Sequence, residues 1–176
     1  MDRELIQRLV ALEWEFFQAT RNEGGRAPCQ DDRETFWVMR TGQAMGWSEE
    51  MAAAWLSDLE AARTAGRNPV MEKYARMMAF TAPEAYAKLA HFLPPVEPEM
   101  EKLARALADQ TVAWAEAAAQ RYPYLCASGR PIRSSADSAA VTSLETYCYG
   151  ELLTCRPETL RLFQRYYAEK ARRGEN

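Results

Sequence analysis

Residues Glu97 to Gln120 read EPEMEKLARALADQTVAWAEAAAQ, and this stretch decides the fold. Met100, Leu103, Leu107, Thr111, Trp114 and Ala118 recur at intervals of three and four, which lines them along one stripe of a long helix. The same period extends outward in both directions. Ile6, Leu9, Glu13, Phe16 and Thr20 share a face of a first helix. Asp32 is placed to cap a second helix carrying Phe36, Met39 and Gln43, which Gly46 ends. Ser48 caps a third, whose stripe is Met51, Trp55, Leu59 and Ala62, and Gly66 stops it. Pro69 opens a fourth helix with Tyr74, Met77 and Met78, and Pro83 opens a short fifth. Pro94, Pro95 and Pro98 make a stiff connector into the long helix. Two more helices are predicted, from about Thr142 to Thr154 and from Pro157 to about Arg173, preceded by a long loop over Arg121 to Ala140 with room for one short strand.

No convincing alternating run of β-branched residues interrupts this pattern. The expected fold is all-α, a bundle of about seven helices in a single domain over residues 1–176. The two ends resemble each other. Trp14, Gly25-Arg26 and Glu34-Thr35-Phe36 precede a helix ending Gly66-Arg67-Asn68. Trp114, Gly129-Arg130 and Glu145-Thr146-Tyr147 precede one ending Gly174-Glu175-Asn176. An internal repeat of 1–68 and 100–176, joined by a helical and proline-rich connector, is therefore expected, with the halves about a pseudo-twofold axis. That arrangement sets Arg40 in correspondence with Glu151, positions suited to a cross-half ion pair.

Composition narrows function by exclusion. The 176 residues are 48% hydrophobic with a net charge of −3, so the chain has a core to bury and no basic run for nucleic acid. Charges interrupt every apolar stretch, so no membrane partner is expected. The N-terminus lacks the pattern of an export signal, which leaves a cytoplasmic location and reduced thiols as the expectation. His91 is the only histidine. Neither a His-based metal site nor the E-x-x-H pair of di-iron bundles is available, so no metal site is assigned, although Glu72, Glu145 and Glu151 offer carboxylates on helices. The cofactor stays unknown.

Two polar loops are where chemistry would sit. The first runs Gly24-Gly25-Arg26-Ala27-Pro28-Cys29-Gln30-Asp31-Asp32, and the second Gly129-Arg130-Pro131-Ile132-Arg133-Ser134-Ser135-Ala136-Asp137. Each leads into a helix, whose N-terminus favours anions, and guanidinium forks suit carboxylate or phosphate. Arg26, Gln30, Arg40, Arg130, Arg133 and Ser134 are thus the candidate ligand contacts for a small anion between the halves. Equally, glycines can end helices and arginines can tie loops down. Glu13 lies on an apolar stripe, so it must be paired, protonated or metal-bound. Glu13, Cys29, Asp32 and Glu145 are the candidate acid–base or nucleophilic groups. Cys29 would need His91 as its partner, and His91 reads as a surface or packing residue.

Glu13-Trp14, the first loop, Glu72-Lys73-Tyr74-Ala75-Arg76-Met77-Met78, Gly129-Arg130-Pro131-Ile132-Arg133-Ser134, and Thr142-Ser143-Leu144-Glu145-Thr146-Tyr147 with Gly150-Glu151-Leu152 resemble a bacterial family, domain of unknown function 4125. The resemblance spans nearly the whole chain. It implies a cytoplasmic protein of anaerobic or gut-type bacteria and carries no reaction and no catalytic residue with it. One departure is Cys155, where the resemblance implies a tyrosine. Two functions follow from the residues: a binder of a small anionic ligand, with or without chemistry on it, or a scaffold whose polar motifs are internal ion pairs and caps.

Overall fold

The computed structural model describes residues 2–22 and 24–175, and Asn176 of the expected repeat lies outside them. The described residues form nine α-helices, three 3-10 turns and no strand. The chain divides into two compact units, Met1–Met71 and Glu72–Asn176.

In the first unit α1 (Arg3–Ala19) packs against α2 (Arg33–Met45) and α3 (Glu49–Thr64). Ile6, Leu9, Glu13, Phe16 and Thr20 at α1 are buried, as are Met51, Trp55, Leu59 and Ala62 of α3, which are the stripes the period predicts; Val10, Leu12 and Phe17 widen the buried face of α1. Caps set the boundaries. Asp2 accepts from Glu4 N, Asp32 from Thr35 N and Ser48 from Met51 N, each satisfying a helix-end N–H. After α3 the chain reverses at Gly66, whose φ of +69° is left-handed backbone that favours glycine. The inward face of α2 keeps Phe36, which stacks on Phe17 at 5.0 Å, and the half-buried Gln43, but Met39 is 66% exposed and Arg40 and Ala44 are buried in its stead. Arg40 is held there by the Glu13 carboxylate on α1.

α4 (Pro69–Thr81) runs across the unit boundary. The second unit continues with α5 (Pro83–Leu89), α6 (Pro98–Arg121), α7 (Pro123–Cys126), α8 (Leu144–Leu152) and α9 (Pro157–Arg172). Its centre is α6, which packs against α8 and α9. Met100, Ala104, Leu107, Ala108 and Val112 are the buried residues of α6. The seam therefore runs through small residues at 104 and 108 that let its neighbours approach, while Leu103, Thr111, Trp114 and Ala118 stand half-buried at its side. Gly150 on α8 marks such an approach: a Cβ there would lie 3.0 Å from Met77 Cγ and 3.2 Å from Lys73 O on α4. The helix number exceeds the expected seven mainly because the long loop contains the single-turn α7, and a 3-10 turn over Ser134–Ala136 occupies it where a short strand had room.

Candidate functional site

Glu13, Arg26, Cys29, Gln30, Asp32 and Arg40 fall in the first unit. Glu13 is 2% exposed, and its carboxylate is held from two sides. Arg40 Nε donates to Oε2 at 2.7 Å, a second Arg40 nitrogen donates to Oε1, and Trp55 Nε1 donates to Oε1 at 2.7 Å. Arg40 also donates to Gln43 Oε1 at 2.7 Å. A bidentate, doubly hydrogen-bonded pair fixes a buried carboxylate in one orientation. Arg40 is thus engaged by Glu13, and Glu151, its expected counterpart, is engaged by Lys73 at 3.3 Å.

The first polar loop folds onto the end of α1. Gln30 is buried, and its side-chain amide makes four hydrogen bonds: it donates to Phe17 O and Thr20 O and accepts from Ala27 N and Asn22 Nδ2. Arg26 donates to Asp31 Oδ1 at 2.8 Å, Gln18 Oε1 at 2.6 Å and Gln30 O at 2.8 Å. Asp32 serves α2 as its cap. The Thr35 backbone N–H holds its carboxyl below the usual carboxylate range. Cys29 is an exposed thiol in the 3-10 turn Pro28–Asp31. His91, the partner it would need, is in the second unit and lies against Phe92, with ring centroids 3.8 Å apart.

Arg130, Arg133, Ser134 and Glu145 fall in the second unit, where the second polar loop caps α8. Leu144 N donates to Pro131 O and Glu145 N to Ile132 O, while Thr146 N donates to Ser143 Oγ. Asp137 accepts from Ser143 N and from the Thr146 hydroxyl. Glu145 turns back to accept from Ser134 N at 2.9 Å, with Arg105 at 3.5 Å from its other oxygen. The donors that an anion would use at this helix end are therefore taken by the chain's own oxygens. Arg133 grips Glu116 through two bonds of 2.6 and 2.7 Å. That contact lowers the Glu116 pKa and raises that of Arg133.

Arg130 differs from the other arginines. It is exposed, donates once, to Thr142 O at 3.0 Å, and lies with Cζ 4.5 Å from the Tyr147 ring centroid. Lys73, 4% exposed, approaches the same ring: its Nζ donates to the Tyr147 hydroxyl at 2.7 Å and to Glu151 Oε1 at 3.3 Å. Tyr147 and Glu151 are four residues apart on α8, which puts them on one face. Tyr147 accepts from Lys73, and no acceptor among the described residues takes its own proton. Two cations and one carboxylate thus meet at a half-buried phenol. Sequence patterning assigned neither Tyr147 nor Lys73 a site role. The usable signal was a lysine placed beside the apolar run of α4 together with the Tyr147–Glu151 spacing.

Cys148 and Tyr167 are poor reagents. Burial pushes the Cys148 thiol up to about 12, so it carries almost no thiolate at neutral pH. Burial likewise raises Tyr167, next to it. No group of three or more His, Cys, Asp or Glu that could hold a metal ion occurs among the described residues, and no helix among them is long and apolar enough to cross a membrane.

No curated protein and no solved structure matches the chain. The model of the family described as protein of unknown function DUF4125 matches residues 3–176, essentially the whole length, and the chain belongs to that family.

Proposed function

We propose that this protein binds a small anionic ligand on its second unit, at Arg130 and Tyr147 with Lys73 behind them. The observation that carries this is the unspent capacity of the group. Arg130 uses one donor on Thr142 O, the Tyr147 hydroxyl retains a proton to give, and Lys73 adds positive charge from a buried position. The ligand would lie over the exposed guanidinium and accept from the phenol. No covalent step is assigned to these residues, and Glu13, Cys29, Asp32 and Glu145 have no part in the proposal.

A second proposal, a scaffold without a ligand, draws on the engaged state of Arg26, Arg40 and Arg133 and on the satisfied N-terminus of α8. The duplication belongs to either proposal. It is supported by the packing order within each unit, where a long helix (α1 or α6) receives two later ones, α2 and α3 or α8 and α9.

A thermal-shift series with carboxylic acids, phosphosugars and nucleotides separates the two. A native-state ligand at about a hundred times its Kd stabilises by about 2.7 kcal/mol. The anion proposal expects a shift that is lost in Arg130→Ala and reduced in Tyr147→Phe. A flat series on folded protein selects the scaffold.

A further inference from the structure

Between Glu116 and Asp137 the chain has three arginines, Arg121, Arg130 and Arg133, and no acidic residue, in a protein whose net charge is −3. The middle of this stretch is the single turn of α7. Pro123 opens it directly after α6, and α6 is its main packing neighbour. Its side chains face away from any core: Tyr124 is 96% exposed, Leu125 79% and Tyr122 47%. Arg121 lies at the base of the turn with Cζ 5.3 Å from the Tyr122 ring centroid. Water-exposed Tyr-Pro-Tyr-Leu on a one-turn projection is costly to leave uncovered, and nothing in the packing of α7 uses it.

We propose that the Tyr122–Leu125 turn is a tip that docks on anionic lipid surfaces. Shape favours a bilayer over a protein or peptide partner. Tyr124 and Leu125, 96% and 79% exposed, have no walls around them to hold an inserted segment, whereas a bilayer interface accepts exposed side chains of this kind. Tyrosine side chains suit headgroup depth, with the ring buried and the hydroxyl wet, and Leu125 reaches past them into the acyl boundary. Charge favours anionic over neutral lipid, because Arg121 stands at the base of the turn and no acidic residue lies between Glu116 and Asp137. Leucine also counts against single-stranded nucleic acid, which would be read by stacking on aromatic rings. The contact is peripheral, and one short wedge with a cation at its base gives weak, reversible attachment.

Sedimentation with sucrose-loaded vesicles of phosphatidylcholine, alone or with phosphatidylglycerol at half the lipid, tests the tip on the full chain. Binding is expected to the mixed vesicles and to fall at least about tenfold in the Tyr124→Ser/Leu125→Ser double variant. Arg121→Glu should weaken it about fivefold or more. Both changes are exposed, and the melting temperature confirms that the variants fold. In Tyr124→Trp, the new indole emission should shift to shorter wavelength on the mixed vesicles only. Absence of binding, equal binding to neutral vesicles, or full binding by the double variant overturns the proposal. Tip-dependent retention of a single-stranded oligonucleotide in place of vesicles would do so as well.

Discussion

Glu13 with Arg40 is a buried carboxylate–cation pair and Glu151 with Lys73 a partly buried one, one in each unit, and they differ in what stands beside them. Arg40 clasps Glu13 by two bonds while Trp55 adds a third, so geometry is fixed from three directions. Lys73 is a point charge on a flexible stem, shared between Glu151 and the Tyr147 hydroxyl, and the phenol beyond it still has a proton to offer. The same pairing of charges gives rigidity where the donor is a planar fork and leaves a neighbouring phenol proton on offer where it is an ammonium. Buried charge alone therefore does not identify a site, and the count of unused donors discriminates better.

The comparison predicts a steep contrast in mutational cost. Glu13→Ala strands a buried guanidinium and should destabilise by about 3–5 kcal/mol in urea unfolding. Replacing both partners, Glu13→Leu with Arg40→Met, should recover most of that loss. A single variant costing under about 1 kcal/mol would break the contrast. Gly150→Ala should cost about 1–2 kcal/mol, because the added methyl meets Met77 and the Lys73 carbonyl. Since it displaces α4 at Lys73, it should also weaken any anion response, read as a smaller thermal shift at fixed ligand. Tyr147→Phe removes one acceptor from Lys73 while Glu151 remains, and a loss of about 1 kcal/mol is expected in the same unfolding assay. If it approaches the cost of Glu13→Ala, Tyr147 is structural and the ligand proposal loses its phenol.

The smallest effect belongs to Arg133 and Glu116, an exposed pair. Arg133 lowers the Glu116 pKa on folding, so the pair's contribution is present above the ordinary glutamate range and fades as pH falls through the folded value. Arg133→Ala should therefore lower stability slightly at pH 7 and leave it unchanged well below the folded Glu116 value, as measured by melting temperature against pH. A loss that persists at low pH would show that Arg133 contributes by packing.

Helix identity and the core faces of α1 and α3 were legible because apolar period, caps and stop glycines agree there. The buried state of Glu13 was legible too, since a carboxylate on an apolar stripe admits few outcomes. Its partner was not, because Arg40, one turn from Phe36 and one from Ala44 on the inner face of α2, is a charged residue that an apolar period passes over. Periodicity weighs hydrophobicity and has no term for a buried charge. The polar loops were visible as polar loops, but glycines and arginines that cradle a ligand and those that cap a helix have the same composition. Gln30 and Ser134 show the difference only through the oxygen or nitrogen that each one meets. Lys73 and Tyr147 come together across 74 residues, a proximity that no local spacing encodes.

The amide of Gln30 has a consequence for the order in which the first unit assembles. Its bonds to Phe17 and Thr20 close chain segments of 13 and 10 residues, whereas the Trp55 bond to Glu13 spans 42. Short closures forfeit less chain entropy than long ones. The α1–loop elbow can thus form while α3 is still searching, presenting Glu13 on a half-built surface before Arg40 and Trp55 arrive. In folding kinetics, changes at Gln30 should then slow the forward rate, and changes at Trp55 should mainly hasten unfolding.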